Sequence, residues 1–500
     1  MKSRLVHATV IAVLGLSACT TDELPTATPS LKRAAGANAL HIVTFATEGP
    51  VPASFGARVA ELGGTLVSAN DGGVAIVRGL SAQGVGGLRR DADITDVSPD
   101  AEVQLAPTER AFLGALSDAV IASPTNPATA LAYNAGFQWS YRVIGMNQAW
   151  LGGGGNLGSN QVTVAILDTG IDSTHPDLAG RVDRATSISL VPSDDPLIAA
   201  HFPGAAPWTD LNGHGTHVGS TVASNAIVFS GMGTQTKLMA VKVLGHSGSG
   251  TFSGILQGIR HAVDNGADVI NMSLGATFFK AGAGGLAGAL DRTTKWAYKQ
   301  GVTIVVAAGN DALNMEAVHN NVYFAPCEAK HVICVSGTGA ATGNFFPQYS
   351  PALPLPATVG FDDFAVYSNS GESVDVAAPG GNFKVEIVEG EPEVVSGHFI
   401  VQVCSRTTLI LTPSEEEGEP PTASKPCTNP GVLFGSAGTS QASPHVAGLA
   451  ALLLAKNSAM SPDEIRAAIF SSADDRGAPG FDPRYGGGRI NAARALGVIP

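Results

Sequence analysis

From about residue 139 to the C-terminus, continuous apolar runs alternate with segments of helical pattern, and this alternation constrains the fold more than any other feature. The apolar runs include VTVAILD, KLMAVKVL, ADVINMSLG and VTIVVAAGN, and the helical segments between them include HGTHVGSTVAS, GILQGIRHAVDNG and LAGALDRTTKWAYKQG. Strands that are apolar along their whole length are typical of a parallel sheet covered by helices on both faces. We therefore predict a three-layer α/β fold with a mainly parallel central sheet, and functional side chains at the carboxyl ends of its strands.

Three other regions depart from this alternation. Residues 38–107 contain short strand and helix patterns such as LHIVTF, ARVAELGG and GGVAIV, which predict a small α+β domain. Residues 108–138 are rich in Ala, Ser, Thr, Asn and Pro, and we expect an exposed linker that proteases can reach. Residues of about 382–434 carry the β-patterned VEIVEGEPEVV and HFIVQVCSRTTLILT followed by SEEEGEPPTASKP, and we expect an inserted hairpin with a flexible tip.

The N-terminus, MKSRLVHATVIAVLGLSAC, has basic residues, a short apolar run and then LSAC. This is the pattern of a secretory signal, and the apolar run is too short to serve as a mature membrane span. The ending resembles a bacterial lipobox, which implies a signal peptide of residues 1–18, lipidation of Cys19 and a polar tether at 19–37. The alternative is an ordinary signal peptide that is cut nearby, with Cys19 incidental.

Charge and cysteine content limit the partners of the chain. A net charge of −13 and a pI near 5.3, with no basic cluster, argue against nucleic acid as a partner. The four cysteines beyond Cys19 are Cys327, Cys334, Cys404 and Cys427. In an exported chain an even count predicts two disulfides, most simply between sequence neighbours, although three connectivities fit the count. The spacings lack the CxxC pair that would favour a metal site.

Four short motifs carry chemically useful side chains at strand ends or helix starts. They are ILDTGIDSTHPDL with Asp168, DLNGHGTHVGS with His214, VTIVVAAGN with Asn310, and GTSQASPHVAG with Ser440. Three of the motifs have a structural alternative: an aspartate that binds turn N–H groups at Asp168, a pair of metal-binding histidines without a third ligand at His214, and a serine or threonine that caps a buried helix at Ser440.

Together the four motifs are highly specific, and the chain from about 140 to 497 resembles the subtilase family of serine peptidases. The resemblance includes the closing YGGGRINAARAL, and it extends to residues 38–107 as a subtilase-type inhibitory propeptide. It implies that residues 139–500 form a subtilisin-like catalytic domain in which Ser440 is the nucleophile, His214 the general base and acid, and Asp168 the residue that orients the imidazole. Asn310 then matches the side-chain donor of the oxyanion hole, beside the N–H of Ser440.

The resemblance also implies where peptide substrates bind. Two glycine-containing segments, HSGSGTF at 246–252 and NMSLGA at 271–276, match the edges on which the substrate backbone pairs, which makes Ser249, Gly250, Ser273, Leu274 and Gly275 candidate binding residues. We expect a preference for a large apolar side chain before the scissile bond, no acidic group for Lys or Arg in that pocket, and Phe324 as a residue that narrows it.

Two positions depart from the family pattern. Gln441 stands where the family commonly has Met, which removes an oxidation-sensitive neighbour of the nucleophile. The loop AIVFSG after HGTHVGSTVAS lacks the oxygen-rich calcium loop of bacterial subtilisins, although Asp177 resembles one ligand of that site. The chemistry requires no cofactor, and the metal content is open, structural calcium included.

These features predict an exported serine endopeptidase that is made as a self-processing zymogen, with protein or peptide substrates, its own propeptide as inhibitor and chaperone, and a membrane anchor on the precursor. We expect broad specificity, residence in the bacterial cell envelope before processing, and release of the mature enzyme. The alternative from another class is a catalytically inactive binding scaffold on the cell surface. An α/β-hydrolase lipase would need GxSxG and the order Ser, Asp, His, neither of which this chain has.

Overall fold

The computed structural model describes residues 39–105, 108–116, 126–151, 158–281, 283–318, 321–388, 391–412 and 421–500. The predicted signal peptide, the lipidation site at Cys19 and the tether lie outside these residues, as does part of the acidic segment of the insertion. No helix in the described ranges combines the length and hydropathy that a membrane span requires.

Strands and helices follow one another along the described chain, with two short 3-10 helices at Pro127–Thr129 and Pro192–Asp194. The strands are β1 Leu40–Phe45, β2 Thr65–Asn70, β3 Val74–Arg78, β4 Ile94–Pro99, β5 Glu102–Gln104, β6 Glu109–Leu113, β7 Thr163–Asp168, β8 Ile188–Ser189, β9 Lys237–Lys242, β10 Ser249–Thr251, β11 Val269–Met272, β12 Ala276–Phe279, β13 Thr303–Ala307, β14 Val322–Ala325, β15 Val332–Thr338, β16 Val376–Pro379, β17 Asn382–Val388, β18 Glu391–His398, β19 Ile400–Val403, β20 Ile410–Thr412, β21 Thr422–Ser424 and β22 Leu433–Ala437. The helices are α1 Phe55–Glu61, α2 Ala82–Leu88, α3 Leu131–Asn134, α4 Ser140–Val143, α5 Met146–Leu151, α6 Asp195–His201, α7 His214–Val222, α8 Phe252–Asp264, α9 Gly284–Lys299, α10 Met315–Val318, α11 Thr439–Lys456, α12 Pro462–Ser472 and α13 Ala492–Ala495.

A seven-stranded parallel sheet in the order β16-β15-β13-β11-β7-β9-β8 forms the middle layer. Successive residues of a strand point to opposite faces, so each apolar run supplies two cores. Val164 and Ile166 of β7 pack with α7 and α11, whereas Ala165 and Leu167 pack with α8 and α9. The predicted three-layer α/β architecture is therefore confirmed.

The N-terminal unit is a four-stranded antiparallel sheet in the order β2-β3-β1-β4, with α1 and α2 on one face. Its other face packs on α8 and α9, where Ile42, Val74 and Ile76 join the core of those helices. The buried carboxylate of Asp100 accepts a hydrogen bond of 2.9 Å from the N–H of Ser253 and so satisfies a free donor at the start of α8.

The description of residues 108–138 as an exposed linker is wrong for the parts of this segment that the structure describes. β6 pairs antiparallel with β22, and Ala111 is buried. Tyr133, Phe137 and Gln138 are also buried, and the Gln138 amide donates to the carbonyl of Ser230 at 3.1 Å. Composition misled the prediction because Ala, Ser and Thr suit a packed interior as well as a solvated linker.

The insertion at about 382–434 contains two hairpins where we expected one. β17 pairs with β18, and β20 pairs with β21. β19, which lies between the two hairpins in the sequence, pairs with β22, and β22 pairs with β6 along its other edge. Disulfides join Cys404 to Cys427 and Cys327 to Cys334, the pairing of sequence neighbours.

Candidate active site

Asp168 and His214 form a buried pair at the carboxyl edge of the central sheet. Asp168 ends β7 and His214 begins α7, and Nδ1 of His214 lies 2.7 Å from Oδ1 of Asp168. Because Nδ1 donates to the carboxylate, Nε2 is left as the acceptor of the imidazole. Among the described residues Nε2 makes no hydrogen bond, so its lone pair is available to act as a base.

Asp210 fixes the start of α7 against the end of β7. It was not among the residues predicted from the sequence. Its carboxylate accepts from the N–H groups of Gly213 and Thr216 at 2.8 Å each and from the hydroxyl of Thr169 at 2.9 Å. The glycine after His214 is required by packing, because a Cβ on Gly215 would lie 2.2 Å from the Gly170 carbonyl oxygen. An acidic residue just before a helix start was the signal that could have identified Asp210.

Ser440 lies in the first turn of α11, behind the end of β11. The N-cap is Gly438 in an extended conformation, so neither Thr439 nor Ser440 caps the helix as the structural alternative had it. The hydroxyl of Ser440 donates to the carbonyl of Ser273 at 3.1 Å, and the hydroxyl of Ser273 donates to the carbonyl of Ser440 at 2.9 Å. This reciprocal pair ties the start of α11 to the sheet.

Two further side chains hold Ser273 in place. Ser443 lies 2.8 Å from the Ser273 hydroxyl, and the amide of Asn271 donates to that hydroxyl at 2.9 Å. Ser443 therefore orients Ser273 in addition to packing in the core.

Asn310 follows β13 and contacts the residue before Ser440. Its Oδ1 accepts hydrogen bonds of 2.8 Å from both the N–H and the hydroxyl of Thr439. The side-chain amide is thus held at the start of α11, near the N–H of Ser440. A Cβ on Gly438 would approach Nδ2 of Asn310 to 3.0 Å, which explains the glycine there.

The predicted substrate edges are lined by the N-terminal unit. β5 pairs antiparallel with β10, which contains Ser249 and Gly250, and Gln104 forms a bridge with Gly275. Leu274 is different, because its side chain is 2% exposed and packs in the core. Its contribution to this edge is therefore limited to its backbone.

A cavity beyond Gly275 has acidic groups in its lining. Phe324 lines it, together with Ala307, Ala308, Glu102 and the exposed Asp311. Asp311 follows Asn310, and its carboxylate accepts from the Asn369 amide at 3.2 Å. Strand ends and loops that are far apart in the chain build this lining, so the sequence pattern did not indicate it.

β6 approaches the same edge of the sheet from the opposite side. Burial lowers the pKa of the Arg110 guanidinium, and the negative charges of Asp210 and Asp168 partly raise this pKa again. A Cβ on Gly438 would also lie 2.9 Å from the Thr108 methyl group. The segment that we expected to be a linker therefore lies beside the turn before Ser440.

His217 and His445 are buried behind the site, as expected from packing. Nε2 of His217 lies 3.1 Å from the carbonyl of Ile400, and the ring nitrogens of His445 lie 2.9 and 3.1 Å from the Gln441 carbonyl and the Ser140 hydroxyl. Burial lowers the pKa of His217 to about 3 and that of His445 to about 4. Both rings are therefore neutral at pH 7.

Asp177 does not fit a calcium site, because backbone amides occupy its carboxylate. It accepts from the N–H groups of Ile227, Val228 and Phe229 at 2.6 to 3.2 Å. These three residues belong to the loop AIVFSG, so the carboxylate folds this loop by direct hydrogen bonds. The described part of the chain has no cluster of three or more His, Cys, Asp or Glu side chains that could hold a metal ion.

Comparison with known proteins agrees with this geometry. The model of the subtilase family matches residues 159–488. The chain belongs to the subtilase family. This subtilase is 32% identical to the thermophilic serine proteinase of Bacillus sp. (strain AK1), and the match covers 73% of the chain and 68% of that protein. It is 31% identical to the subtilisin of Bacillus pumilus, and that match covers 68% of the chain and 92% of the relative. Its fold matches the epidermin leader peptide processing serine protease (EpiP) of Staphylococcus aureus with a TM-score of 0.62 at 20% identity, over 93% of the chain and 99% of that structure. This subtilase is a serine peptidase with a subtilisin-like fold.

Proposed function

We propose that Asp168, His214 and Ser440 are the catalytic triad of an endopeptidase that works through an acyl-enzyme. The observation that carries this proposal is the 2.7 Å contact between Nδ1 of His214 and Asp168, which turns Nε2 into a base at the edge of the sheet where Ser440 lies. His214 takes the proton of the Ser440 hydroxyl as it attacks the peptide carbonyl, and returns that proton to the leaving amine. Asp168 stabilises the charged imidazole that forms between these steps.

Asn310 and the N–H of Ser440 supply the oxyanion hole in this proposal. Support comes from the two hydrogen bonds that Oδ1 of Asn310 accepts from Thr439, which fix the orientation of the amide beside the start of α11. Loss of one such donor typically costs about 3 to 4 kcal/mol in the transition state.

Labelling with a fluorophosphonate probe distinguishes the two hypotheses, an active peptidase and a catalytically inactive scaffold. An active site that matches the proposal reacts covalently at Ser440, and Ser440→Ala removes the label. Ser471→Ala is the control because it removes an exposed hydroxyl of α12, outside the proposed site. A processed wild-type protein that takes up no probe, and hydrolyses no peptide, would favour the scaffold.

We further propose that residues 38–107 are an inhibitory propeptide and that the cut lies near the boundary between residues 107 and 108. β5 pairs with the edge that we assign to substrate, and the N–H of Leu105 donates to the carbonyl of Gly248 at 2.9 Å. β6 lies on the other side of Ser440, so the uncut chain runs along both sides of the proposed nucleophile. Self-processing at this point separates the two strands.

Export and lipidation complete the proposal for the precursor. Two disulfides favour an oxidising compartment, and LSAC implies an anchor at Cys19. Because the proposed cut separates Cys19 from residues 139–500, processing releases the catalytic domain from the membrane.

For specificity we propose protein substrates with a broad apolar preference before the scissile bond. The cavity beyond Gly275 is lined by Ala307, Ala308 and Phe324, which favour apolar side chains, while Asp311 offers one acidic contact. Peptides that differ only at the residue before the cut would test this preference, with higher kcat/KM for Leu or Phe than for Glu.

A further inference from the structure

The edge of β22 points to a binding site for the part of a substrate that follows the scissile bond. β22 pairs with β19 on one side and with β6 on the other, and it continues directly into Gly438, Thr439 and Ser440. Residues of β6 pair in register with those of β22, from Glu109 opposite Ala437 to Leu113 opposite Leu433. An extended peptide on this edge gains backbone hydrogen bonds along five residue pairs.

β5 and β6 show where two segments of one chain lie on either side of this part of the molecule. Gln104 bridges to Gly275 on the proposed acyl side, and Thr108 lies beside Gly438 on the other side. A peptide in this direction presents residues before the scissile bond to β10 and residues after it to β22. β6 therefore takes the place of the leaving part of a substrate.

The ring of Phe112 lies on a packed apolar surface at the far end of this strand edge. It stacks on Phe434, with ring centroids 5.0 Å apart and an interplanar angle of 11°. Phe434 is 2% exposed and is packed against the buried disulfide between Cys404 and Cys427. The disulfide comes from the insertion, so this chain's own additional segment supports the aromatic contact.

We propose that, in the processed enzyme, substrate replaces β6 on β22 and that Phe434 with the Cys404–Cys427 disulfide forms a subsite for an aromatic side chain. The side chain enters at the position of Phe112, four residues beyond Thr108. Cleavage near the 107/108 boundary gives β6 a free end, from which a substrate strand displaces it. The inference rests on the proposed peptidase function and adds a determinant of substrate choice on the leaving-group side.

Two internally quenched peptides test the subsite. They share one apolar half before the cut and continue as Thr-Glu-Arg-Ala-Phe-Leu, the sequence of residues 108–113, or as Thr-Glu-Arg-Ala-Ala-Leu. Because a stacked aromatic pair adds to the apolar area buried, we expect the processed wild type to cleave the Phe peptide with kcat/KM roughly fivefold or more above that of the Ala peptide. Mass spectrometry of the products verifies that both peptides are cut at the same bond.

Variants at Phe434 show whether this ring produces the preference. Phe434→Leu keeps an apolar side chain in the buried position, and Phe434→Ala removes most of it. The ratio of kcat/KM for the two peptides is measured within each enzyme, so it does not depend on how much protein folds. We expect the ratio to fall in Phe434→Leu and to approach 1 in Phe434→Ala.

A p-nitroanilide peptide separates failure of the subsite from failure of the proposed function, because it carries no residues after the scissile bond. Hydrolysis of this substrate by the wild type together with equal kcat/KM for the two quenched peptides would overturn the subsite alone. Hydrolysis of this substrate with no cleavage of either quenched peptide would show that β6 stays on β22, which also overturns it. A processed wild type that hydrolyses none of the three substrates would overturn the proposed function, and the subsite with it.

Discussion

Oδ1 of Asn310 accepts two hydrogen bonds from Thr439, one from its backbone N–H and one from its hydroxyl, each 2.8 Å long. The Thr439 hydroxyl also accepts from the N–H of Gly309 at 3.1 Å. Thr439 thus joins the loop after β13 to the start of α11, next to Ser440. This contact sets the orientation of the Asn310 amide.

Asn310→Ala should lower kcat roughly a hundredfold or more with little change in KM, because the amide acts mainly on the oxyanion of the transition state. Steady-state kinetics on the p-nitroanilide peptide provide the measurement. A loss confined to KM would instead assign Asn310 to substrate positioning.

Thr439→Val should lower kcat by about tenfold, since the Asn310 amide loses one of the two donors that orient it. Thr439→Ser is the matched control, because it keeps the hydroxyl and should retain most of the activity. Thr439 is a positioning residue in this view, so KM should change less than kcat. Equal activity of the Val and Ser variants would show that the backbone hydrogen bond alone orients the amide.

Ser440→Ala should leave a full-length precursor that fractionates with membranes, whereas mature wild-type enzyme should be largely soluble. The mutant lacks the nucleophile for self-processing, and its lipid anchor at Cys19 stays joined to the catalytic domain. Antibodies to each half of the protein, applied to membrane and soluble fractions, make the measurement. Cys19→Ser should abolish the difference, and mature catalytic domain that is firmly membrane-bound without propeptide would contradict release.

The protein should lose stability as the pH falls below 6.5, because His217 and His445 are buried as neutral rings. Their folded pKa values are lowered to about 3 and about 4, whereas the unfolded chain protonates histidine near 6.5. The unfolded state then binds more protons, so each ring reduces the free energy of unfolding by about 1.4 kcal/mol per pH unit between 6.5 and its folded pKa.

Denaturant unfolding of the Ser440→Ala protein between pH 6.5 and 4.5 measures this dependence without self-digestion. His445→Gln in the same background should reduce the slope of the free energy of unfolding against pH by the contribution of one ring, about 1.4 kcal/mol per pH unit. An unchanged slope in that variant would mean that His445 becomes protonated without unfolding.

The native protein should contain no free thiol among Cys327, Cys334, Cys404 and Cys427. Alkylation before and after reduction, followed by peptide mass mapping, should recover the two pairs of sequence neighbours. Free Cys404 and Cys427 in the native secreted protein would remove one support of Phe434 and of the insertion.

The sequence by itself determined the features that depend on local pattern. Continuous apolar runs such as VTVAILD predicted buried parallel strands, because a strand that is covered on both faces needs apolar residues at every position. The same runs placed Asp168 and Asn310 at strand ends, and glycine-rich turns placed His214 and Ser440 at helix starts. Those predictions needed only the few residues around each motif.

Only the tertiary structure decided which distant segments meet. The composition around Glu109–Leu113 predicted a linker. The segment is a strand instead, because the edge of Leu433–Ala437 satisfies its backbone hydrogen bonds. Asp177 resembles a metal ligand, yet it folds a loop about fifty residues away through backbone amides. Hydrogen bonds and packing between residues hundreds of positions apart leave no period in the chain, so the contact between Phe112 and Phe434 is absent from the sequence pattern and present in the fold.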